Sequence, residues 1–321
     1  MSLTDRAGLP DFPFRRGAHD RLTELRAEPG VVDRAWTDPA TRVLVVDEGR
    51  LATRADHRGL EFVAPADAPA GERMLLGALD GTTYLLVLAR HAPQSPVSDE
   101  LEVSAAAAAG PRTAAELVSL RRMALLLGDP EASLAAHAVA LANWHQRHPR
   151  CSACGAATIV TQAGAARSCP DCGALDFPRI SPAVIMTVID DDDRCLLAHN
   201  AVRDEVWYST VAGFVDPGES AESAVAREVR EETAIEVDRL TYLGSQPWPF
   251  PSELMLGFSA HARTTDITVD GTEITDARWF DRDMLRAEVE AGTLVIPTTV
   301  SISGALISRW YGGELPTRRT G

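Results

Sequence analysis

Two Cys-x2-Cys pairs, Cys151 and Cys154 in "CSAC" and Cys169 and Cys172 in "CPDC", are separated by fourteen residues. No other feature restricts the fold of this chain as much. Four thiols in two short pairs, with Gly155 and Gly173 directly after them, describe two knuckle turns closing on one tetrahedral ion. The gap is one residue shorter than the usual range for such ribbons. A pair of disulfides is the alternative. It is disfavoured because the start of the chain, "MSLTDRAGLPDFPFRRG", lacks an apolar signal core, which predicts a reducing cytoplasmic location. Four thiolates leave no open coordination position, so the expected Zn²⁺, one per chain, is structural. The fifth cysteine, Cys195 in "RCLLA", reads as a small core residue. The ribbon divides the 321 residues into an N-terminal α+β domain (1–148), the ribbon (149–178) and a larger C-terminal domain (179–321).

Charge narrows the partners. The formal net charge of −15 argues against general nucleic-acid or anionic-membrane binding, since both reward basic patches. No apolar run reaches eighteen residues, so no membrane-spanning helix is predicted. In the N-terminal region, residues 42–54 and 75–89 read as hairpins with turns at Asp47-Glu48-Gly49 and Asp80-Gly81. Helices are predicted over 113–127 and 131–148, with His145 and His148 as solvated helix-end residues. "HAPQSPVSDE" and "SAAAAAG" read as a flexible connection before them. No internal repeat is legible. After a proline-bracketed joint, "FPRISP" at 177–182, strands are predicted at 183–189, 195–198, 206–212, 236–243, 253–262 and 277–281. Helices are predicted at 219–234, 282–290 and 299–311. That order suits an α/β/α sandwich around a mixed sheet.

The helix at 219–234 carries a contradiction. Ala221, Ala224 and Val225 mark its inward face at 100° per residue. Continued toward the C-terminus, that face runs into Glu228, Glu231 and Glu232, while Ser223, Arg227 and Arg230 are predicted to point away. Like charges three and four residues apart destabilise a helix by about 0.2–0.5 kcal/mol per pair, and buried ones need a partner or a metal. A salt-bridged surface helix is the alternative reading. The inward arc favours a hard-oxygen site for Mg²⁺ or Mn²⁺.

Residues 213–235, "GFVDPGESAESAVAREVREETAI", resemble the signature of the Nudix hydrolases, G-x5-E-x7-R-E-U-x-E-E-x-G-U with U aliphatic. Every fixed position matches except the last glycine, here Ala234. That change costs about 1–2 kcal/mol if the residue is left-handed. The resemblance implies a Nudix sandwich and hydrolysis of a nucleoside diphosphate linked to another group. It also implies that Glu228 and Glu232 bind the divalent metal, with Glu231 as a ligand or base. Glu219 and Arg227 would brace the loop and helix. The Ala212 carbonyl and Glu273, in "GTEITDARWF", would add ligands.

Ten residues beyond the box, "SQPWPFPSELM" (245–255) holds two aromatics among three prolines, a stiff wall on which a base could stack. With the ribbon, it is similar to the NADH pyrophosphatases of the NudC type. That resemblance implies a homodimer that splits NADH or NAD⁺ into nicotinamide mononucleotide and AMP, and that removes the 5′-NAD cap of RNA. Its implied substrate contacts are Gln246, Pro247, Trp248, Pro249, Phe250, Pro251, Ser252 and Glu253, together with Phe177, Ser303 and Arg121. An acidic contact of the family falls on Gly164 here. The alternatives are hydrolysis of another adenylate such as ADP-ribose, or a non-catalytic zinc-ribbon regulator that senses a nucleotide.

The ribbon reading is checked by metal analysis. Protein purified under reducing conditions is expected to carry about one tightly held zinc per chain, not exchanged by Mg²⁺. Cys169→Ser is expected to lower stability or solubility, measured by thermal melting.

Overall fold

A computed structural model describes residues 8–56, 58–89, 116–203 and 206–318. The predicted connection at "HAPQSPVSDE" and "SAAAAAG" and the start of the helix predicted from 113 lie outside them. Contacts group the chain into two units, Arg16–Arg179, and Met1–Arg15 with Ile180–Gly321.

The Arg16–Arg179 unit contains α1 (Val31–Thr37), β1 (Arg42–Asp47), β2 (Arg50–Thr53), β3 (Phe62–Val63), β4 (Gly71–Leu79) and β5 (Thr82–Ala89). Then come β6 (Glu116–Ser119), α2 (Leu120–Met123) and α3 (Asp129–Arg147). Both predicted hairpins are present. Their turns place Glu48-Gly49 and Asp80-Gly81 at positive φ, the conformation that matches strand twist in two-residue turns. The helix predicted over 113–127 is corrected. Leu117 and Val118 pair with Ala52 and Leu51 of β2, which leaves one helical turn, α2. Here sheet pairing outweighs local helix propensity.

The ribbon strands β7 (Ile159–Thr161), β8 (Ala166–Ser168) and β9 (Leu175–Asp176) form a separate small sheet. Between β7 and β8, a short turn leans on β4. A side chain on Gly164 (φ +97) would sit 2.5 Å from the Met74 Cβ, so only glycine fits. His145 is not solvated as expected but 2% exposed. Its Nε2–H donates to the Gly164 carbonyl (2.9 Å), which leaves Nδ1 to accept from Arg167 Nη1 (3.0 Å). Arg167 also donates to the Thr158 hydroxyl and carbonyl. α3 and the ribbon are therefore joined through buried, satisfied polar groups.

The second unit contains β10 (Ser181–Ile189), β11 (Cys195–Asn200), β12 (Val211–Phe214), α4 (Ala221–Thr233), β13 (Val237–Trp248) and β14 (Glu253–Ala262). It ends with β15 (Ile274–Phe280), α5 (Arg282–Ala291) and α6 (Ile302–Tyr311). Val184, Met186 and Val188 of β10 pack against Ala224, Val225 and Val229 of α4. On the other face Ile185 meets Ile302 and Leu306 of α6, while Ile189 joins Leu285 and Val289 of α5. This is the expected α/β/α sandwich. The strand predicted at 206–212 is reduced to β12, because Trp207 and Ser209 form only single bridges to Val295 and Ala198. β13 instead runs on to Trp248, so the first half of "SQPWPFP" is strand and not loop. β13 is an edge strand, where Pro247 is tolerated.

The two large sheets share one topology. Their orders are β4-β5-β1-β2-β6, with β3 also on β1, and β13-β14-β10-β11-β15, with β12 also on β10. In each, the first strand pairs in parallel only with the fifth. The repeat is one of architecture. Its N-terminal copy has only a short turn, Pro65–Asp67, where the other carries α4.

Ala234 closes α4 at φ 61 and ψ 11, the left-handed position where the signature has glycine. Relieving that strain with Ala234→Gly is expected to stabilise the protein by about 1 kcal/mol. The check is urea unfolding, with turnover unchanged.

Candidate metal and active site

Ser220 caps α4, its Oγ accepting from Ser223 N (3.1 Å). Glu219 therefore lies just outside the helix and not in its first turn. There one of its oxygens also accepts the Asp216 amide (3.1 Å). Arg227 was expected to point away from the acids. Its Cβ leaves the helix on the flanking face, but the long stem carries the guanidinium back across it. Nε and Nη2 donate to the two Glu219 oxygens (2.9 Å each). Nη1 donates to Glu228 (2.8 Å) and Glu231 (3.0 Å), and Nη2 also to the Phe214 carbonyl (2.8 Å). All five guanidinium donors are used.

The structure thus brings Glu219, Arg227, Glu228 and Glu231 together in direct contact. Glu232 is different. It is 6% exposed, and its Oε2 has no hydrogen-bond partner among the described residues. Burial, then the charges of Glu273, Glu228, Asp270 and Glu231, push its carboxyl up to about 8. Burial also raises Glu228, in spite of Arg227. A buried carboxylate with an orphan oxygen among further carboxylates is a site that a cation would satisfy. The backbone opposite is shaped for it. A Cβ on Gly213 would lie 2.0 Å from the Glu228 carboxyl carbon, so that acid rests on bare main chain beside Ala212. Ala212 itself is held in register with Ile185. In the loop before β15, Asp270 is held down to about 2 because it accepts from Glu273 N, the Thr272 hydroxyl and Ile274 N. Asp270 is occupied in shaping the loop, and the exposed Glu273 carboxylate heads the charges acting on Glu232. Mg²⁺ or Mn²⁺ fits this all-oxygen donor set.

The expected substrate contacts fare unevenly. Gln246 does not line an open pocket. It is fully buried, Nε2 donates to Pro13 O and Val300 O (2.9 Å each), and Oε1 accepts from Ile302 N (2.8 Å). Strand alternation turns it inward, where its amide ties β13 to two other segments, one at Pro13 and one at Val300–Ile302. Ser303 is likewise buried, its hydroxyl paired with that of Thr210 (2.7 Å). Trp248 and Phe250 are half-buried and meet edge to face at 5.0 Å. Pro247, Pro249 and Pro251 bracket them, Ser252 O accepts from Ser181 N, and Glu253 pairs with Trp248. Phe177, 53% exposed, and Arg121, in α2, belong to the other unit. Gly164 is the packing point described above. Sequence reasoning missed Leu9 and Phe12, which pack beside Ile302 and Leu306. The apolar, proline-rich "LPDFPF" at 9–14 was the available signal.

In the ribbon the four Sγ atoms lie within 4.8 Å of one another. Gly155 N and Gly173 N donate to Cys151 O and Cys169 O (2.9 Å each), and both glycines have φ +76. Two matching knuckles thus present four thiols to one ion, the structural zinc site expected from the spacing. No cysteine is in a disulfide.

Comparison with known proteins gives three matches along the chain: a NADH pyrophosphatase-like rudimentary NUDIX domain at 40–144, a NADH pyrophosphatase zinc ribbon domain at 146–175 and a NUDIX domain at 179–296. The chain is 37% identical to the NAD-capped RNA hydrolase NudC of Mycobacterium bovis, over 97% of this chain and all of that one. It is 36% identical, with the same coverage, to the protein so named in Mycobacterium tuberculosis. The human NAD-capped RNA hydrolase NUDT12 is 39% identical over 58% of this chain and 43% of its own.

Glu232 generates a prediction with a sign. Its carboxyl holds a proton up to about pH 8 when folded but only to about 4.3 when unfolded. Its contribution to stability in metal-free protein is therefore full below about pH 4.3 and lost as pH rises through 8. Glu232→Gln is expected to flatten that fall, read by thermal melts across pH 5 to 8. Added Mn²⁺ is expected to raise the wild-type Tm more than that of the variant.

Proposed function

The chain belongs to the NudC family of Nudix hydrolases, and we propose that it hydrolyses the diphosphate of NADH and NAD⁺, free or as the 5′ cap of RNA. Water adds across the P–O–P linkage. One P–O bond forms, the bridging P–O bond breaks, and two phosphomonoesters leave, nicotinamide mononucleotide and AMP (or a 5′-monophosphate RNA end). The observation that carries this reading is the coincidence, on one chain, of the closed four-cysteine ribbon and the Arg227-bound glutamates beside Gly213.

The division of labour is the one the family resemblance implies, and the burial and contacts of these residues support it. Glu228 and Glu232, the two less exposed acids, and Glu273, with the Ala212 carbonyl, would hold Mg²⁺ or Mn²⁺. Such an ion supplies charge neutralisation on the phosphoryl oxygens and lowers the pKa of water. Glu231, with its side chain 56% exposed, is placed to add a ligand or to take the proton of the attacking water. Arg227 fixes the angle of Glu228 and Glu231 and ties both to Glu219 and the strand end at Phe214. Trp248 and Phe250 offer ring faces to a base. The reading includes a homodimer, a cytoplasmic location, and the division into 1–148, 149–178 and 179–321. Among the described residues no helix is long and apolar enough to cross a membrane.

The test compares kcat/KM on NADH, NAD⁺, ADP-ribose and NAD-capped RNA with one enzyme preparation, products being separated by chromatography. NADH, NAD⁺ and the capped RNA are expected to be cleaved with Mg²⁺ or Mn²⁺ and to exceed ADP-ribose. Glu228→Gln or Glu231→Gln is expected to lower kcat by two or more orders of magnitude, since metal and base contributions are each worth about 3 kcal/mol or more. Exclusive cleavage of ADP-ribose, or unaltered turnover in both variants at saturating metal, would overturn the reading.

A further inference from the structure

Tyr208 and Asp276 have no part in the site described above, yet they form a hydrogen bond that crosses a strand. Tyr208, 8% exposed, donates its hydroxyl to Asp276 Oδ2. Burial, then Asp276, pushes that hydroxyl up to about 12, so it remains a donor. Ser209 bridges Ala198 of β11, while Ala198 and His199 pair with Ala277 and Asp276 of β15. Tyr208, His199 and Asp276 therefore make one row across three neighbouring segments. The His199 and Tyr208 rings meet at 5.6 Å, and the hydroxyl reaches over β11 to the acid beyond. This row lies on the face that packs against α5, where Tyr208 joins Leu197, Phe280, Leu285 and Val289.

Both ends of the bond lead to the acid cluster. Tyr208 is held by its amide, which donates to Val295 O (2.9 Å), and His199 Nδ1 donates to the adjoining Trp207 carbonyl (2.9 Å). Two residues on, the Thr210 hydroxyl pairs with that of Ser303, and two further lies Ala212. At the other end Asp276 stands beside a bulge. From His199 to Asn200 β11 advances one residue, while β15 steps two, from Asp276 to Ile274. The extra residue, Thr275, lets Ala277 and Ile274 both face the core under α4, although regular alternation would set them on opposite faces. A bulge of this kind re-aims the side chains next to it. The next residue is Glu273, whose carbonyl accepts from Ala201 N (2.9 Å). After burial, its charge is the largest influence on the Glu232 carboxyl.

We propose that Tyr208 is a positioning residue of the metal site: by binding Asp276 across β11 it locks the bulge at Thr275 and so sets the reach of Glu273 toward the ion. The inference rests on the reading above and deepens it. Ala212 is carried by β12, which pairs with β10, and Glu273 precedes β15, which pairs with β11. The hydroxyl gives these two segments a direct tie, so that ligands from separate strands keep one spacing. Groups behind a metal ligand act in this way, by fixing its orientation.

The test titrates Mn²⁺ into the zinc-containing protein, free Mn²⁺ being read by electron paramagnetic resonance, beside the Mn²⁺ dependence of NADH turnover. Tyr208→Phe keeps the ring and loses the hydroxyl. It is expected to raise the Kd for Mn²⁺ about tenfold, as loss of a partner behind a ligand does, with kcat at saturating Mn²⁺ within about threefold of wild type. Asp276→Ala is expected to give the same rise, and Asp276→Asn, which retains an acceptor, to stay within about threefold of wild type. In a Glu273→Gln background Tyr208→Phe is expected to add little, since a residue acting through Glu273 has no ligand left to position. An unchanged Kd in Tyr208→Phe, or in Asp276→Ala if the tyrosine variant does not fold, would overturn the proposal. So would an equal rise with and without the Glu273 carboxylate, which would make the bond a general prop of the fold. Wild-type Mn²⁺ affinity in Glu273→Gln alone would instead strike Glu273 from the metal site, and with it the reading on which the inference rests.

Discussion

The catalytic unit depends on one cation whose capacity is fully used. Arg227 donates all five of its N–H groups, to Glu219, Glu228, Glu231 and the Phe214 carbonyl. Without it, four acids within one loop and helix would repel one another, and the partly buried Glu228 would lose the cation that pairs with it. A planar fork suits this position because it can hold a bidentate acid on one edge and two further acids on another. A lysine could supply the charge but not the geometry. The guanidinium also ties α4 to β12, so the helix bearing the acids and the strand bearing Gly213 are set by the same group.

Fixed spacings made much of this legible in the sequence. The four cysteines announce their ion because ligand geometry dictates knuckle turns. The glutamates announce theirs because acids on an apolar stripe need an explanation. Ala234 showed where a glycine was missing, and its left-handed conformation gives the physical reason. What stayed hidden was long-range or depended on side-chain length. A helical wheel fixes where the Cβ of Arg227 points, not where its guanidinium ends. Gln246 lies in a motif that reads as a loop, yet it is in an edge strand, and its partner Pro13 is 233 positions away. Leu117 and Val118 look helical until β2 offers an edge to pair with.

The shared topology of the two sheets shows how an architecture outlasts its residues. Strand order and the one parallel pairing are the same in both units, and no period is visible in the sequence. In the N-terminal sheet, where only the short turn Pro65–Asp67 stands between the third and fourth strands, Val43, Leu75, Leu85 and Val87 are packed by Val31, Val32, Ala35 and Trp36 of α1, which comes before the first strand. The hydrophobic requirement of a sheet face persisted, while the element meeting it and its chemistry differ.

The seating of Leu9 and Phe12 against Ile302 and Leu306 bears on how the chain is made. Their partners are synthesised about 290 residues later, at 5–20 residues per second about 15–60 s afterwards. The Arg16–Arg179 unit can fold during that interval, since its strands and ribbon are complete. Until then Leu9 and Phe12 lack the α6 side chains that cover them. The catalytic unit closes only when α6 emerges and the Gln246 amide can bind main chain on both sides. The core of this unit is thus sealed by its last helix and not by its sheet.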